Sequence, residues 1–182
     1  IRHSTDDEPD YFLESFAHRC VEAGATAIIC SGTHQIKAVE LYQSAPIFYS
    51  IGNFIFQSDH VSQLPGDFYE KYGVERDKTA AEALAVRSAG GKRGLQTDIN
   101  NYLGLMPVLS FEKGRLCRIE IQPVELCFHE GYALKGLPRK ATGKALENIY
   151  ECLLRLSSVY GTSFELQDNG SIMVSYSDRG NA

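Results

Sequence analysis

Gly24-Ala-Thr-Ala-Ile-Ile-Cys-Ser-Gly-Thr-His34 decides how this chain folds. A glycine ends a helical pattern, an apolar run of strand length follows, and a loop of small residues then presents one imidazole. A second apolar stretch, Pro46-Ile-Phe-Tyr-Ser-Ile-Gly-Asn-Phe54, closes on a Gly-Asn turn. Helix, strand and loop in this order make an α/β protein, and such proteins place their chemistry on the loops beyond strand ends.

Upstream, Asp6-Asp7-Glu8-Pro9 reads as a helix start, with acids favoured by the helix dipole and proline tolerated in the first turn. Phe12, Leu13, Phe16, Ala17, Cys20 and Val21 recur at helical spacing and are expected to face inward, with Gly24 as the stop. Ala25 to Cys30 is a continuous apolar run, expected to form a strand covered on both faces. Val39 to Tyr42 and Ile47 to Ser50 are expected strands joined by Gln43-Ser-Ala-Pro46.

From about residue 57 to 104 the text turns polar and glycine-containing, with one helix at Thr79 to Ser88. It reads as a long insertion or lid. Phe68, Tyr69 and Tyr72 are expected to form a small satellite core beneath it. Val108 to Phe111 and Leu116 to Ile121 flank a Glu-Lys-Gly-Arg turn as a hairpin. Thr142 to Tyr160 is an amphipathic helix with Leu146, Ile149, Leu153 and Leu156 inward and Gly161 as stop. Phe164 to Gln167 and Ile172 to Tyr176 form a last hairpin across Asp168-Asn-Gly170.

At 182 residues the chain fits a single domain with a real core. A net charge of -5, with no lysine-arginine run longer than a pair such as Lys92-Arg93, excludes a nucleic-acid surface. The apolar runs fall far short of the ~20 residues a membrane helix needs, so the chain carries no membrane segment. It opens on Ile1 with no initiator methionine, as text from inside a longer protein does. Cys20, Cys30, Cys117, Cys127 and Cys152 are scattered without a CxxC pair, the pattern of reduced thiols in a reducing compartment.

His34 stands beyond a strand after Ser31, Gly32 and Thr33, where an imidazole can ligate a metal or transfer protons near neutral pH. His18 lies within the first helix and reads as structural; His60 and His129 lie in polar loops, and His3 has no context. No two histidines stand at a metal-binding spacing. Gly52 permits a tight turn and close backbone approach, and Asn53 can orient a ligand through both ends of its amide. Arg93, Gln96, Thr97 and Asp98 form a polar cluster after Gly90-Gly91, and a guanidinium suits carboxylate or phosphate.

The stretch from Gly24 to His34, then Val39-Glu-Leu-Tyr42 and Pro46 to Phe54, resembles the bacterial poly-γ-glutamate capsule-synthesis (CapA-type) proteins. These belong with the calcineurin-like metallophosphoesterases. Their pattern runs close to G-A-D-x-(apolar)₃-G-H-x-P-H, then I-E-x-Y, then P-I-F-Y-S-L-G-N-F. Asp67-Phe-Tyr-Glu-Lys-Tyr-Gly73 and Lys92-Arg-Gly-Leu-Gln-Thr-Asp98 also resemble longer members.

The resemblance implies an α/β, metallophosphatase-like fold of packed β-sheets flanked by helices, with residues 1–182 the C-terminal part of one such domain. It implies divalent ions (manganese, zinc or iron) at strand ends in the intact domain, activating water for attack on a phosphoester. The second histidine of G-H-x-P-H falls on His34, implied as metal ligand and catalytic group together with Asn53. The first falls on Ser31 and the proline on Thr33. Serine is a poor substitute for imidazole towards a transition metal, so Ser31 is grouped with Gly52, Arg93 and Gln96 on the substrate side.

The ligands that such domains carry earlier would precede Ile1, so this segment alone is expected to be inactive and to hold no ion by itself. Two functions are implied. One is a metal-dependent phosphoesterase of capsule or poly-γ-glutamate synthesis, acting on a phosphoester or anionic polymer alongside other capsule-synthesis components. The other is a non-catalytic accessory domain that binds an anionic polymer. Proteins of this family are commonly membrane-anchored outside the cell through an N-terminal segment.

Overall fold

The structure, a computed structural model, describes residues 7–57 and 61–175. His3, His60 and Tyr176 lie outside them. Helix α1 (Tyr11–Glu22) leads to β1 (Ile28–Ile29), and a hairpin of β2 (Val39–Tyr42) and β3 (Ala45–Phe48) completes a first sheet in the order β1-β3-β2. β1 runs parallel to β3 and β2 antiparallel to it. Helices α2 (Gly66–Tyr72) and α3 (Ala80–Arg87) follow, then two 3₁₀ turns at Leu95–Thr97 and Ile99–Tyr102. The second sheet contains β4 (Leu103–Glu112), β5 (Arg115–Glu125), β6 (Arg139–Lys140), β7 (Ser163–Leu166) and β8 (Ile172–Ser175). Its order is β4-β5-β8-β7 with β6 also on β5, and α4 (Gly143–Ser157) packs across both sheets. The result is the expected mixed α/β build of two sheets flanked by helices.

Alternation along β2 and β3 decides which face meets what. Val39 pairs with Phe48 and Glu40 with Ile47. Val39 and Phe48 therefore face one core, shared with Ile149 and Leu153 of α4 and Ile119, Ile121 and Ile172 of the second sheet. Ile47 and Tyr49 face another, shared with Ala17 and Val21 of α1 and with Leu156. Each fully buried side chain of this kind contributes roughly 1.5–3 kcal/mol. Buried Ser157 Oγ accepts from Val39 N at 2.9 Å, tying α4 to β2.

Several elements differ from the sequence expectation. β1 is two residues long rather than running from Ala25 to Cys30, and Ile29 is 53% exposed. It is an edge strand among the described residues, so the apolar run is not sandwiched. The α1 N-cap is Asp10, so Pro9 precedes the helix instead of entering its first turn. Phe12 and Phe16 are 73% and 54% exposed. The inward face is carried by Ala17 and Val21, small enough to bring the helix against β3. The β2–β3 turn is Gln43-Ser44, both at positive φ, which starts β3 two residues early and takes Pro46 into the strand. β1 covers β3 only at Ile47 and Phe48, so Pro46 sits where β3 is paired on one side alone.

The polar middle holds α2 besides the expected α3, whose Thr79–Glu82 capping box is formed in both directions. Phe68 packs against Tyr72 at 4.7 Å between centroids, yet no α2 residue is buried, so these rings do not form a closed satellite core. The β4–β5 hairpin extends well beyond its expected ends around Lys113-Gly114, both at positive φ. α4 ends in a 3₁₀ turn, Ser158–Tyr160, before Gly161 in the left-handed region. All five cysteines are free thiols, and no helix among the described residues is long and apolar enough to cross a membrane.

Candidate functional site

His34 lies on the loop between β1 and the Ile36–Ile51 bridge, at φ 66 after Gly32 at φ 112. A left-handed backbone is costly for a residue with a Cβ and persists only where its surroundings impose it. Thr33 Oγ1 imposes part of this turn, lying 2.9 Å from both the Gln35 carbonyl and Ser50 Oγ. Asn53 imposes the rest. Its Nδ2 donates to the His34 carbonyl at 3.3 Å and to the Asn101 carbonyl at 2.9 Å.

Because Nδ2 is spent on two carbonyls, the side of the amide that meets the ring is Oδ1, 3.1 Å from His34 Nδ1. An amide oxygen only accepts, so Nδ1 carries the proton and the neutral ring has its lone pair on Nε2. The network thus selects one tautomer. Phe56 flanks the ring at 5.6 Å between centroids, and Tyr102 meets Phe56 edge-on at 5.2 Å.

Gly52 and Gly104 bring this loop against the second sheet. They form an isolated bridge, and the Leu105 amide donates to the Ile51 carbonyl at 2.8 Å. A Cβ on Gly52 would stand 2.4 Å from the Leu103 carbonyl oxygen, and one on Gly104 would stand 2.3 Å from that of Asn53. Both positions exclude every side chain. Gln35 Nε2 donates to Asp98 Oδ2 at 2.8 Å, pinning the 3₁₀ segment to the same loop.

Among the residues singled out in the sequence, His34, Gly52 and Asn53 converge. Ser31 is exposed on the same loop. Arg93 Nε donates to the Arg87 carbonyl at 3.0 Å, and Gln96 Nε2 donates to the Arg93 carbonyl at 3.1 Å. Their bonds thus close the turn after α3. That turn reaches the site indirectly: Tyr102 Oη donates to the Gln96 carbonyl and Asn101 Nδ2 to the Leu95 carbonyl. His129 packs against Phe128 at 4.9 Å.

Asn101 and Phe56 escaped the sequence reading. Asn101 is 1% exposed, and its buried Oδ1 has no hydrogen-bond partner. Only the Asp98 cap, whose Oδ1 accepts from the Asn100 amide, marks this stretch locally.

Among the described residues, the donor set around His34 is too small to make a complete metal centre by itself. One imidazole, an exposed serine and an asparagine whose oxygen already meets Nδ1 offer too few strong ligands. Among the described residues, the one group of three or more histidine, cysteine or acidic side chains close enough to share an ion lies elsewhere.

The class defined by this fold is a mixed α/β protein with a metallophosphatase-like arrangement of two sheets, its imidazole held at the seam between them. Residues 3–58 match the family described as "Bacterial capsule synthesis protein PGA_cap". "Uncharacterized protein y4sH" and "Uncharacterized protein y4uA" of Sinorhizobium fredii (strain NBRC 101917 / NGR234) are each 31% identical over 169 residues, covering 89% of this chain and 36% of theirs. "Capsule biosynthesis protein CapA" of Bacillus anthracis is 37% identical over 51 residues, 28% of this chain and 12% of that protein. The chain spans about a third of the length of the first two relatives.

Proposed function

We propose that the chain contributes a proton-transferring imidazole, His34, to a site for a phosphoester or anionic polymer in a CapA-type capsule-synthesis protein. The observation that carries this is the Asn53 lock, which fixes the ring and assigns the lone pair to Nε2. A base held in one tautomer is prepared for proton transfer without reorganisation. The divalent ions of metallophosphatase-like domains would polarise the phosphoester when bound; His34 could supply one ligand through Nε2, and the others would come from residues beyond this loop.

The accessory reading has one observation in its favour. Ser31 stands where the family pattern has an imidazole, and an exposed hydroxyl cannot replace it. Both readings place an anionic ligand at the same loop, with other capsule-synthesis components as the partners of the whole protein.

One experiment separates them. Turnover of a chromogenic phosphodiester and binding of an anionic polymer are measured for wild type and His34→Ala. The enzymatic reading expects turnover to fall by roughly 10²-fold or more. No turnover in wild type, with polymer binding retained in a chelator, supports the accessory reading. Equal turnover and equal binding in both proteins overturn the role of His34 in either.

A further inference from the structure

The alternation along β2 places a second group of ligand-type side chains on the opposite face of the first sheet. Glu40 shares that face with Ile47 and Tyr49 and meets α1, where Glu14 and His18 are four residues apart and therefore on one side of the helix. His18 Nε2 lies 2.9 Å from Glu40 Oε2. One ligand atom from each of Glu14, His18 and Glu40 falls within 4.8 Å of the other two.

We infer that Glu14, His18 and Glu40 form a divalent-cation site, with zinc as the best-matched ion, independent of the His34 site. Two carboxylates and a neutral imidazole balance a divalent charge, and one nitrogen with two oxygens suits zinc better than magnesium or calcium. The imidazole is held by its surroundings, its ring stacked on Tyr42 at 3.9 Å and 10°. Tyr42 is tied back to α1 through its hydroxyl, which donates to Glu22 at 2.9 Å.

Glu40 is nine-tenths buried, and the Tyr49 hydroxyl donates to its Oε2 at 2.5 Å. That bond orients the carboxylate from behind, as outer partners of metal ligands do. Both contacts fall on Oε2, so Oε1 can meet an ion while the Tyr49 bond is kept.

Ligands of a tetrahedral zinc ion stand roughly 3.4 Å apart, from bonds of about 2.1 Å. The 2.9 Å contact between His18 Nε2 and Glu40 Oε2 is a hydrogen bond, so an ion would displace its proton. One ligand atom from each of the three residues already lies within 4.8 Å of the others, which leaves rotamer changes to complete the approach. A cavity of about 320 Å³, lined by Tyr11, Glu14, Ser15, His18, Arg19 and Glu22, opens over the helix side of the group. It supplies an entry path and room for a water in the fourth position. Three protein ligands with an open fourth position is the pattern of a reactive rather than a purely structural zinc site.

The test is equilibrium binding of zinc chloride to the purified chain, in competition with a chromogenic chelator. Wild type is compared with Glu14→Gln, His18→Ala and His34→Ala. Glu14 is the safest substitution, because it lies outside both cores and the fold should survive its change. One zinc per chain in wild type and His34→Ala is expected, with affinity at least tenfold weaker in Glu14→Gln and His18→Ala. Zinc should also raise the melting temperature of wild type and not that of His18→Ala. No binding by wild type, equal binding by Glu14→Gln and His18→Ala, or loss of binding in His34→Ala alone would each overturn the assignment.

Discussion

Asn53 holds His34 at two points, accepting from the ring at Nδ1 and donating to the same residue's main-chain carbonyl. One side chain therefore fixes the tautomer of the imidazole and the left-handed backbone beneath it. NMR correlation of the ring nitrogens of neutral His34 is expected to show the Nδ1–H form. Asn53→Ala should abolish that preference and cost about 1–3 kcal/mol in denaturant unfolding, because the Asn101 and His34 carbonyls lose their donor. A ring with the proton on Nε2 in wild type would contradict the network.

The seam glycines are tested by size alone. Gly52→Ala and Gly104→Ala each drive a Cβ into a carbonyl oxygen, and Gly52 also sits at φ +72. Either should cost more than about 2 kcal/mol. Gly114→Ala is the control, at φ +78 with nothing within 4 Å, and should cost only about 1 kcal/mol. Comparable losses at all three positions would show that close approach is not what demands glycine at the seam.

Tyr49 couples the first sheet to alkaline pH. Burial, then the Glu40 carboxylate that accepts its proton, pushes its phenol far above the usual tyrosine range. Burial, then the nearby carboxylates Glu14 and Glu40, pushes Tyr160 up to about 12. Both folded values exceed the unfolded one, so their contribution is complete below the unfolded phenol pKa of about 10. That of Tyr160 is lost as pH rises from about 10 through about 12, and that of Tyr49 starts to fall at the same point and goes on falling above it. Tyr49→Phe should flatten that alkaline decline in unfolding midpoints, while destabilising the protein at neutral pH by leaving Glu40 one donor short. An unchanged alkaline slope would remove Tyr49 from this account.

The capping box of α3 should respond to acid. The Thr79 backbone amide, then its hydroxyl, holds the Glu82 carboxyl below the usual carboxylate range. A depressed folded value stabilises above the unfolded pKa and is lost as pH falls through the folded one. Protection factors of the first α3 amides, taken relative to the intrinsic exchange rate at each pH, should therefore fall on acidification in wild type. In Thr79→Ala they should be low throughout; strong protection in that variant would mean the helix start is held by packing instead.

The elements that could be read from the sequence are those whose own residues decide them. α4 shows its inward face at Ile149, Leu153 and Leu156, all buried as expected, and Asn169-Gly170 sets the final hairpin. α1 misled only in part: Ala17 and Val21 are buried as expected, while Phe12 and Phe16, from the same helical pattern, stay exposed. β1 misled because an apolar run states that burial is wanted and not which neighbour supplies it.

The same limit divides the candidate site. His34 and Asn53 stood out on their loops, but the bond joining them, and the Asn101 carbonyl that turns the amide, depend on a contact between segments 48 residues apart. His18 read as an internal helix residue because Glu40 comes from another element, brought beside it only by the β2 register.

Backbone meets backbone at Gly52 and Gly104, with no side chain between them to absorb a displacement by changing rotamer. A shift of one sheet against the other is therefore passed along undamped. The next residue in the chain is Asn53, whose amide spans from the 3₁₀ segment to the imidazole. The orientation of His34 thus reports how closely the two sheets are seated, and a ligand that gripped the ring would feel the stiffness of the whole seam.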